Sequence, residues 1–514
     1  MKIILDGDLK YEIPEFYIQT FSLLFFPEDH IFGKNGAGEN YIKIFINKNK
    51  KIENLVDISV NICYNKKTVS KSENKIKNND LIIDTGKIFY KTAGEITGDY
   101  PPWGMHTGIR PAKTAGEILE KNHFNETKTL DILCDDYLME KNKAALAIEI
   151  YKNGKCAVER VVGANCVRPM DQNASLAGEH SSPLQTNDFS LYISIPFCPT
   201  RCKYCSFVSF ATPGLLKLIP VYVKKLIEEI ELISVITKNM TLKTIYIGGG
   251  TPTTLDGGSL EMILNAVKNH YDLSHLIEYT VECGRADTIT KEKLELLKSF
   301  DVDRISVNPQ TLNDDILQKI GRNHTAGDFF KAFEIARKTG IKNINTDCII
   351  GLGNERTSFI ESCASMINTI KTLADLKPEN ITVHSLCIKK SAELKSKKIY
   401  TPNAPELNIV LEKYYDILKT AGYKPYYMYR QKYTAGNLEN TGFCLDHCEC
   451  LYNIYMMDEL QTIFGVGAGS MTKLVKDGRI ERIANYKYPY EYIERDFQIN
   501  REINRDKLMM LENV

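Results

Sequence analysis

From Phe189 onward, short apolar runs alternate with longer stretches in which apolar residues recur every three or four positions. The longer stretches, such as Leu215–Ile236 and Phe329–Thr339, are predicted amphipathic helices. The short runs are predicted strands, namely Leu191–Ile195, Thr244–Ile247, Tyr279–Cys283, Arg304–Val307, Ile344–Ile350 and Ile381–Leu386. Strands that are apolar throughout and separated by helices are typical of a parallel sheet covered on both faces. Six such repeats predict an α/β fold, a partial (β/α)6 TIM-like barrel whose chemistry lies on the loops after the strands.

The region before this alternation has a mixed pattern. Residues 1–167 contain the apolar runs Tyr41–Ile46 and Ala145–Tyr151, predicted as strands, and the predicted helix Pro111–Asn122. They predict an added N-terminal α+β domain of unknown role, with a turn-rich loop at Pro101–Pro111 that holds the only tryptophan, Trp103. Residues 168–188 are polar, include two prolines and predict a linker. The barrel is predicted over residues 189–388, and a C-terminal capping region over residues 389–514.

Charge and hydropathy restrict the class of protein. Lys and Arg number 65, as do Asp and Glu, so the net charge is zero and no basic excess favours nucleic-acid binding. No apolar run reaches the roughly 20 residues of a membrane span. Asp6 and Asp8 interrupt the start of the chain before the apolar region of a signal peptide can form. We therefore expect a cytoplasmic protein with no membrane span and no nucleic-acid partner.

Three of the fourteen cysteines lie together on the loop after the first barrel strand. In the cytoplasm, cysteines are expected to be thiols or metal ligands rather than disulfides. Cys198, Cys202 and Cys205 have the spacing C-x3-C-x2-C, and three soft thiolates can hold three irons of a 4Fe-4S cluster. A structural zinc ion needs four ligands, and no fourth Cys or His follows within a few residues. The spacing favours an iron-sulfur cluster with one open iron over zinc or incidental cysteines.

These cysteines and the polar residues at the strand ends resemble the radical S-adenosylmethionine (SAM) enzymes. Within them, the chain resembles the oxygen-independent coproporphyrinogen III dehydrogenase family, in its HemZ-like branch. The resemblance spans about Phe189 to Val475, and the segments Trp103–Pro111 and Pro425–Gly442 match that branch. It implies that the open iron chelates S-adenosyl-L-methionine, and that one electron from the cluster cleaves it to a 5′-deoxyadenosyl radical.

The resemblance also implies a reaction and its partners. The reaction is the oxidative decarboxylation of coproporphyrinogen III to protoporphyrinogen IX, a step of porphyrin and haem biosynthesis. The implied partners are a tetrapyrrole substrate, a low-potential electron donor and an electron acceptor that the sequence does not identify. No catalytic residue is assigned.

A set of SAM contacts follows from the same resemblance, residue by residue. The loop Gly248–Thr253 corresponds to the one that holds the amino end of SAM, and its close backbone approach suits glycine. The expected contacts are Tyr192, Tyr204, Gly249, Gly250, Thr251, Glu282, Gln310, Arg322, Asp347, Cys387 and Met471.

Two departures leave alternatives open for the function. Enzymes of this family carry a further cysteine two positions after the third ligand, where this chain has Phe207. A related branch of haem chaperones also lacks that cysteine, and the region before Asp188 does not resemble the shorter N-terminal segment of the authentic dehydrogenases. The alternatives are therefore a haem chaperone that retains the cluster, or a radical SAM enzyme acting on another tetrapyrrole.

Three further features have more than one interpretation. Cys444, Cys448 and Cys450, beside His447, form a zinc or second cluster site, or are reduced surface cysteines, because C-x3-C-x-C is not a usual ligand spacing. His384 contacts substrate or is a structural strand histidine. Arg430 and the neighbouring aromatic residues suit a tetrapyrrole with propionates, or form part of an aromatic core.

Overall fold

The computed structural model describes residues 1–26, 31–32, 40–76, 80–163, 187–205, 209–353, 359–387, 404–432, 434–476, 478–494 and 496–497. The chain divides into two compact units. Unit one comprises Met1–Tyr151 and Tyr429–Glu439, and unit two comprises Lys152–Met428 and Asn440–Val514. The predicted linker at 168–188 lies, up to residue 186, outside the described residues.

Unit one is built on a five-stranded sheet in the order β2–β1–β3–β4–β5. Its strands are β1 (Lys2–Asp6), β2 (Ile31–Phe32), β3 (Tyr41–Lys48), β4 (Leu55–Tyr64) and β5 (Lys67–Ile76). Alternate residues of β3 and β4 are buried, so one face of the sheet is apolar. That face forms a core with helices α1 (Glu15–Phe25) and α2 (Leu81–Thr97). The predicted strand at Tyr41–Ile46 is confirmed.

Three more helices follow: α3 (Pro111–Lys121), α4 (Glu126–Asp135) and α5 (Lys141–Val162). The first confirms the helix predicted at Pro111–Asn122. The strand predicted at Ala145–Tyr151 is wrong, because this run lies inside the 22-residue helix α5. A short apolar run does not distinguish a strand from a buried helix segment, and the Ala, Lys and Glu residues around it favour a helix.

Unit two contains the predicted barrel. Strands β6 (Asp188–Ile195), β7 (Thr241–Gly249), β8 (Glu278–Glu282), β9 (Arg304–Ser306), β10 (Asn343–Ile350) and β11 (Asn380–Ser385) are adjacent and parallel. Between them lie α6 (Pro213–Leu216), α7 (Ile219–Ile236), α8 (Gly257–His270), α9 (Lys291–Ser299), α10 (Asp314–Lys319), α11 (Ala326–Thr339) and α12 (Phe359–Asp375). The predicted partial (β/α)6 barrel is confirmed.

The C-terminal region extends the same sheet at both edges. It contains α13 (Ala404–Thr420), β12 (Lys424–Arg430), β13 (Glu439–Cys444), α14 (Leu451–Asp458), β14 (Thr462–Val466), β15 (Met471–Lys476), β16 (Arg479–Ala484) and α15 (Pro489–Glu494). β14 pairs in parallel with β6, and β13 pairs antiparallel with β11. The strand order is β12–β13–β11–β10–β9–β8–β7–β6–β14–β15–β16. The region predicted as a cap therefore also pairs the backbone groups at the two edges of the barrel sheet.

The barrel strands are not apolar on both faces, which differs from the sequence expectation. Ile193, Ile247 and Val281 are fully buried on the face toward the helices. The alternate positions, among them Tyr246 and Glu282, are polar and contact one another across neighbouring strands. The interior of the barrel is thus a polar site and not an aliphatic core. No helix in the described ranges is long and apolar enough to cross a membrane.

Candidate cofactor and active site

The cysteine loop leaves β6 and is held in place by backbone hydrogen bonds. The Cys198 N–H donates to the Phe210 carbonyl at 3.1 Å, and the Lys203 N–H donates to the Ile320 carbonyl at 2.9 Å. These bonds connect the loop to the segment that follows it and to the end of α10. The three cysteine thiols are therefore presented at the carboxyl end of the barrel strands, where (β/α) barrels place their chemistry.

The surroundings of the thiols combine burial with a guanidinium contact. The Cys198 Sγ lies 3.4 Å from the Thr251 Oγ1, and burial raises the pKa of Cys198 to about 11, with smaller contributions from the two neighbouring cysteines. The Cys202 Sγ accepts a hydrogen bond from the Arg285 Nη1 at 3.4 Å. Bound metal and nearby guanidinium groups both favour the thiolate form.

A single metal ion needs ligands that converge on one point. Across the described ranges, no group of three or more His, Cys, Asp or Glu side chains is arranged to hold one metal ion. A cluster bonds each thiolate to a separate iron, so its ligands do not converge on one point. The cysteine loop thus fits a cluster better than it fits a zinc ion.

The glycine-rich loop after β7 packs directly against the cysteine loop. The Gly250 N–H donates to the Ile195 carbonyl and the Thr251 N–H to the Phe197 carbonyl, both at 2.8 Å. A Cβ atom on Gly250 would lie 2.5 Å from the Phe197 carbonyl oxygen, so no side chain fits there. Gly249 has a φ of 108°, which favours glycine. The loop that contains Gly249, Gly250 and Thr251 therefore lies beside the cysteine loop, and the role of these three residues as SAM contacts stays a prediction.

Three stacked tyrosines line one side of the barrel interior. The rings of Tyr192 and Tyr246 are 6.2 Å apart, and those of Tyr246 and Tyr452 are 4.5 Å apart, with interplanar angles of 28° and 24°. Only Tyr192 was among the predicted residues. Tyr246 lies two positions before Gly248 on β7 and so shares its face, which the strand period predicts. Tyr452 is the second residue of α14, and its position beside the barrel depends on the fold of the C-terminal region.

Glu282 is a buried carboxyl group at the end of β8. It accepts hydrogen bonds from the Tyr246 hydroxyl at 2.7 Å and from the Gly249 N–H at 3.3 Å. Burial raises the pKa of Glu282 to about 7, and the charge of Asp347 contributes to the same shift. The pKa of this carboxyl group is therefore well above that of an exposed glutamate.

Asp347 is ionised in the same interior. Its carboxylate accepts from the Asn308 Nδ2 and the Asn345 Nδ2, each at 2.7 Å, and its Oδ2 lies 3.6 Å from the His384 Nε2. Burial raises the pKa of Asp347, but the hydrogen bond and charge of His384, with smaller contributions from other polar neighbours, outweigh it and hold the pKa below its ordinary value. His384 therefore faces the interior, and Asn308 and Asn345 join the site although the sequence did not single them out.

Gln310 and Arg322 each bring a buried polar atom without a partner to this interior. The Gln310 N–H donates to the Asp347 carbonyl at 2.9 Å, and its backbone has a φ of 66°. The Gln310 Oε1 is buried and has no hydrogen-bond partner among the described residues. Arg322 donates from Nη1 to the Asn308 carbonyl at 2.6 Å and from Nη2 to the Tyr204 hydroxyl at 3.2 Å, but within the same part of the chain its buried Nε has no partner. Such atoms cost stability unless a ligand satisfies them.

Two predicted contacts are less clearly part of this group. Met471 begins β15, pairs with Ala484 and is 46% exposed. The preceding loop instead places Ala468 against the end of β6, where its carbonyl accepts from the Ser194 Oγ at 2.8 Å. Cys387 is half-buried and lies two residues beyond the end of β11.

The second cysteine group does not converge. The Sγ atoms of Cys444 and Cys448 point to the carbonyls of Lys424 and Asp446, respectively. The Sγ atom of Cys450 contacts the Glu278 carboxylate at 3.2 Å. These separate partners favour the interpretation as thiols. Twelve cysteines of the described residues are thiols. Cys156 is disulfide-bonded, so the expectation of thiols or metal ligands is wrong at this position. That expectation rests on the predicted compartment, which makes disulfides rare but does not exclude one.

The turn-rich tryptophan loop has a structural role within unit one. The Trp103 Nε1 donates to the Glu439 Oε2 at 2.7 Å. Arg430 is buried and donates to the carbonyls of His106 and Asn437. These hydrogen bonds explain how the Arg430 guanidinium group is buried in the absence of a bound ligand.

The chain is similar to proteins of known families. A family model described as the radical SAM superfamily matches residues 192–364. The oxygen-independent coproporphyrinogen-III oxidase-like protein HemZ of Bacillus subtilis (strain 168) is 36% identical over 406 residues, which are 78% of this chain and 75% of that protein. The heme chaperone HemW of Lactococcus lactis subsp. lactis (strain IL1403) is 31% identical over 285 residues, 55% of this chain and 68% of that one.

Among solved structures, coproporphyrinogen III oxidase (HemN) from Escherichia coli, a radical SAM enzyme, has a similar fold. The TM-score is 0.50 at 19% identity, and the match covers 61% of this chain and 70% of that chain.

Proposed function

The chain belongs to the radical SAM superfamily and, within it, to the family of oxygen-independent coproporphyrinogen-III oxidase-like proteins, and from that premise we propose that it oxidatively decarboxylates coproporphyrinogen III to protoporphyrinogen IX. Members of the superfamily use a 4Fe-4S cluster and SAM. In the proposed reaction, each of two propionate groups loses a β-hydrogen atom, carbon dioxide and one electron, and becomes a vinyl group. When bound, the cluster and SAM supply the radical that takes the hydrogen atom.

We propose that Cys198, Cys202 and Cys205 are the cluster ligands. Their common loop, the thiol form of all three and the Arg285 contact to Cys202 support this assignment. The packing of the glycine-rich loop against the cysteine loop supports the proposal that this loop would hold the amino end of SAM when the cofactor is bound.

The observation that carries the SAM site is the pair of buried atoms without partners, Gln310 Oε1 and Arg322 Nε. They lie in the same polar interior as Glu282 and Asp347, which suits the cationic and polar groups of SAM. The proposed contacts are Tyr192, Tyr204, Gly249, Gly250, Thr251, Glu282, Gln310, Arg322 and Asp347, with Cys387 and Met471 as further candidates.

The substrate proposal rests on the family and on the polar interior. The relatives' names include coproporphyrinogen oxidases, and a site that acts on propionates needs polar groups near its mouth. His384, which contacts Asp347, is the side chain we propose to face the tetrapyrrole. The proposed reaction also needs a low-potential electron donor and an electron acceptor.

We propose a cytoplasmic location, which the twelve thiols among the described cysteines support.

The test is an anaerobic incubation of reconstituted protein with SAM, a strong reductant and coproporphyrinogen III. Porphyrins and 5′-deoxyadenosine are quantified by chromatography. We expect protoporphyrinogen and one 5′-deoxyadenosine for each propionate removed. 5′-Deoxyadenosine without a vinyl product would contradict the substrate and direct attention to another tetrapyrrole.

A second candidate is haem delivery, because the chain is also similar to HemW. Phe207, the residue it has in place of the further cysteine, lies outside the described residues. A chaperone would bind haem tightly in a spectroscopic titration and form no decarboxylated product. An enzyme would show the reverse, so the two experiments together separate the candidates.

A further inference from the structure

A buried arginine that the SAM and cluster assignments do not include contacts the middle cysteine. Arg285 lies just after β8, and 2% of its surface is exposed. Its Nη1 donates to the Cys202 Sγ at 3.4 Å, and its Nη2 donates to the Thr200 Oγ1 at 2.9 Å. The guanidinium group therefore holds the cysteine loop by both a sulfur atom and a hydroxyl group.

Asp287 fixes the orientation of this guanidinium group. The Arg285 Nε and Nη2 donate to the two oxygens of Asp287, each at 3.0 Å, in a bidentate pair. His324 lies 3.9 Å from Asp287, and burial, followed by the charges of Arg322 and Arg285, lowers the pKa of His324 to about 4. His324 is therefore neutral at neutral pH and adds no charge to the group.

Two buried cations interact with the Cys202 sulfur, and one of them is paired with a carboxylate. Arg285 and Arg322 are both buried cations that interact with the Cys202 sulfur, and Asp287 compensates one of them. A cluster held by three thiolates carries negative charge, and reduction adds one more electron. Positive charge and N–H donors at a ligand sulfur stabilise the reduced form and thereby raise the reduction potential.

We propose that Arg285 is a positioning residue that raises the reduction potential of the cluster, and that Asp287 opposes this effect by compensating its charge. The inference rests on the proposed ligation of the cluster by Cys198, Cys202 and Cys205. It assigns the pair a role in electron transfer to the cluster rather than in contact with SAM or the tetrapyrrole.

Opposite changes to the two partners test the proposal. Arg285→Gln removes the positive charge but keeps an N–H donor, so the midpoint potential becomes more negative. Asp287→Asn removes the compensating charge, so the potential becomes less negative. The matched control is Arg337→Gln on α11, which breaks the ion pair with Glu379 before β11 and leaves the potential unchanged. The measurement is an anaerobic redox titration of the reconstituted full-length protein, followed by electron paramagnetic resonance.

Iron content is measured on every sample, because a merely structural role would change iron retention and not the potential. Shifts of the two variants in the same direction, or no shift in either at full iron content, would overturn the proposal. If Arg285→Gln takes up less iron, Arg285→Lys, which retains the positive charge, replaces it and is compared with Asp287→Asn. A midpoint potential of Arg285→Lys close to that of the wild type supports the proposal. Equal potentials in Arg285→Lys and Asp287→Asn overturn it. The titration contains neither SAM nor porphyrinogen, so its result does not depend on whether the protein decarboxylates coproporphyrinogen III.

Discussion

At the scale of single residues, the barrel interior is arranged for a ligand more than for stability. Gln310 is buried, and its φ of 66° lies in the left-handed region of backbone conformation. Its amide oxygen has no hydrogen-bond partner in the described part of the chain. A buried polar atom without a partner costs about 1–3 kcal/mol. Features that cost stability without a structural benefit are concentrated at functional sites.

Gln310→Met tests this interpretation of the amide oxygen. The change keeps the length of the side chain and the backbone hydrogen bond, so we expect the melting temperature to be unchanged or higher. SAM affinity falls by roughly 3- to 10-fold, as expected for one lost hydrogen bond. Thr346→Val is the control, because the Thr346 hydroxyl is also buried without a partner but lies on the opposite face of β10. Equal SAM affinity in wild type and Gln310→Met would contradict the assignment.

Glu282 predicts a pH dependence of SAM binding. Its pKa is about 7, raised chiefly by burial, so the carboxyl group gains negative charge as the pH rises through neutrality. The Asp347 carboxylate, whose pKa is lowered, stays ionised throughout this range. The cationic groups of SAM should therefore bind more tightly at pH 8 than at pH 6, and Glu282→Gln should remove the difference. Calorimetric titrations measure the SAM affinity of both proteins at both pH values. If the affinity of Glu282→Gln changes between pH 6 and pH 8 as much as that of the wild type, another group is responsible for the pH dependence.

At the scale of elements, the sequence predicts what is local and misses what depends on the fold. The six barrel strands and the cysteine loop follow from the apolar runs and from the cysteine spacing. Helix α5 was missed because its apolar run resembles a strand, and Tyr452 was missed because α14 reaches the barrel only through the folded C-terminal region. Arg285 is adjacent to the predicted strand end, but nothing in its spacing indicates contact with a cysteine 83 residues away.

Unit one contains a buried ion pair whose partners come from separate elements. The Lys143 Nζ on α5 lies 2.8 Å from the Glu439 Oε1 at the start of β13, and both side chains are fully buried. The Trp103 Nε1 donates to the other oxygen of the same carboxylate. Because a buried charge without its counter-ion is strongly unfavourable, this pair couples three segments that are distant in sequence.

We expect Glu439→Gln to destabilise unit one by roughly 3–5 kcal/mol, because it leaves the Lys143 charge buried without this carboxylate. The double variant Lys143→Met/Glu439→Gln should recover part of that loss, since the Lys143 charge is then removed and the amide oxygen still accepts from Trp103; the charge of Arg430, which also interacts with Glu439, remains. Trp103 is the only tryptophan, so its fluorescence during urea unfolding reports on unit one. A double variant less stable than Glu439→Gln would contradict this explanation.

At the scale of the whole molecule, the fold and the cofactor class were predictable, whereas the substrate was not. A parallel barrel brings the ends of its strands to one side, so residues as distant in sequence as Cys198 and Asp347 belong to one site. The identity of a substrate depends on shape and contacts that no motif encodes. The C-terminal strands illustrate the limit, because β14 and β13 pair with β6 and β11, and a local pattern of apolar residues does not indicate which strand is the partner.

The most direct test of the proposed cluster site compares SAM cleavage by two variants, each of which lacks one cysteine. Cys202→Ala removes a proposed cluster ligand, and Cys348→Ala removes a thiol that is also buried but lies on the opposite face of β10 from Asp347. Each protein is reconstituted anaerobically with iron and sulfide, reduced, and assayed for 5′-deoxyadenosine. We predict that Cys348→Ala retains the cluster absorbance and cleaves SAM like the wild type, whereas Cys202→Ala stays folded and does neither. Sustained 5′-deoxyadenosine formation by Cys202→Ala would contradict the site at the centre of this account.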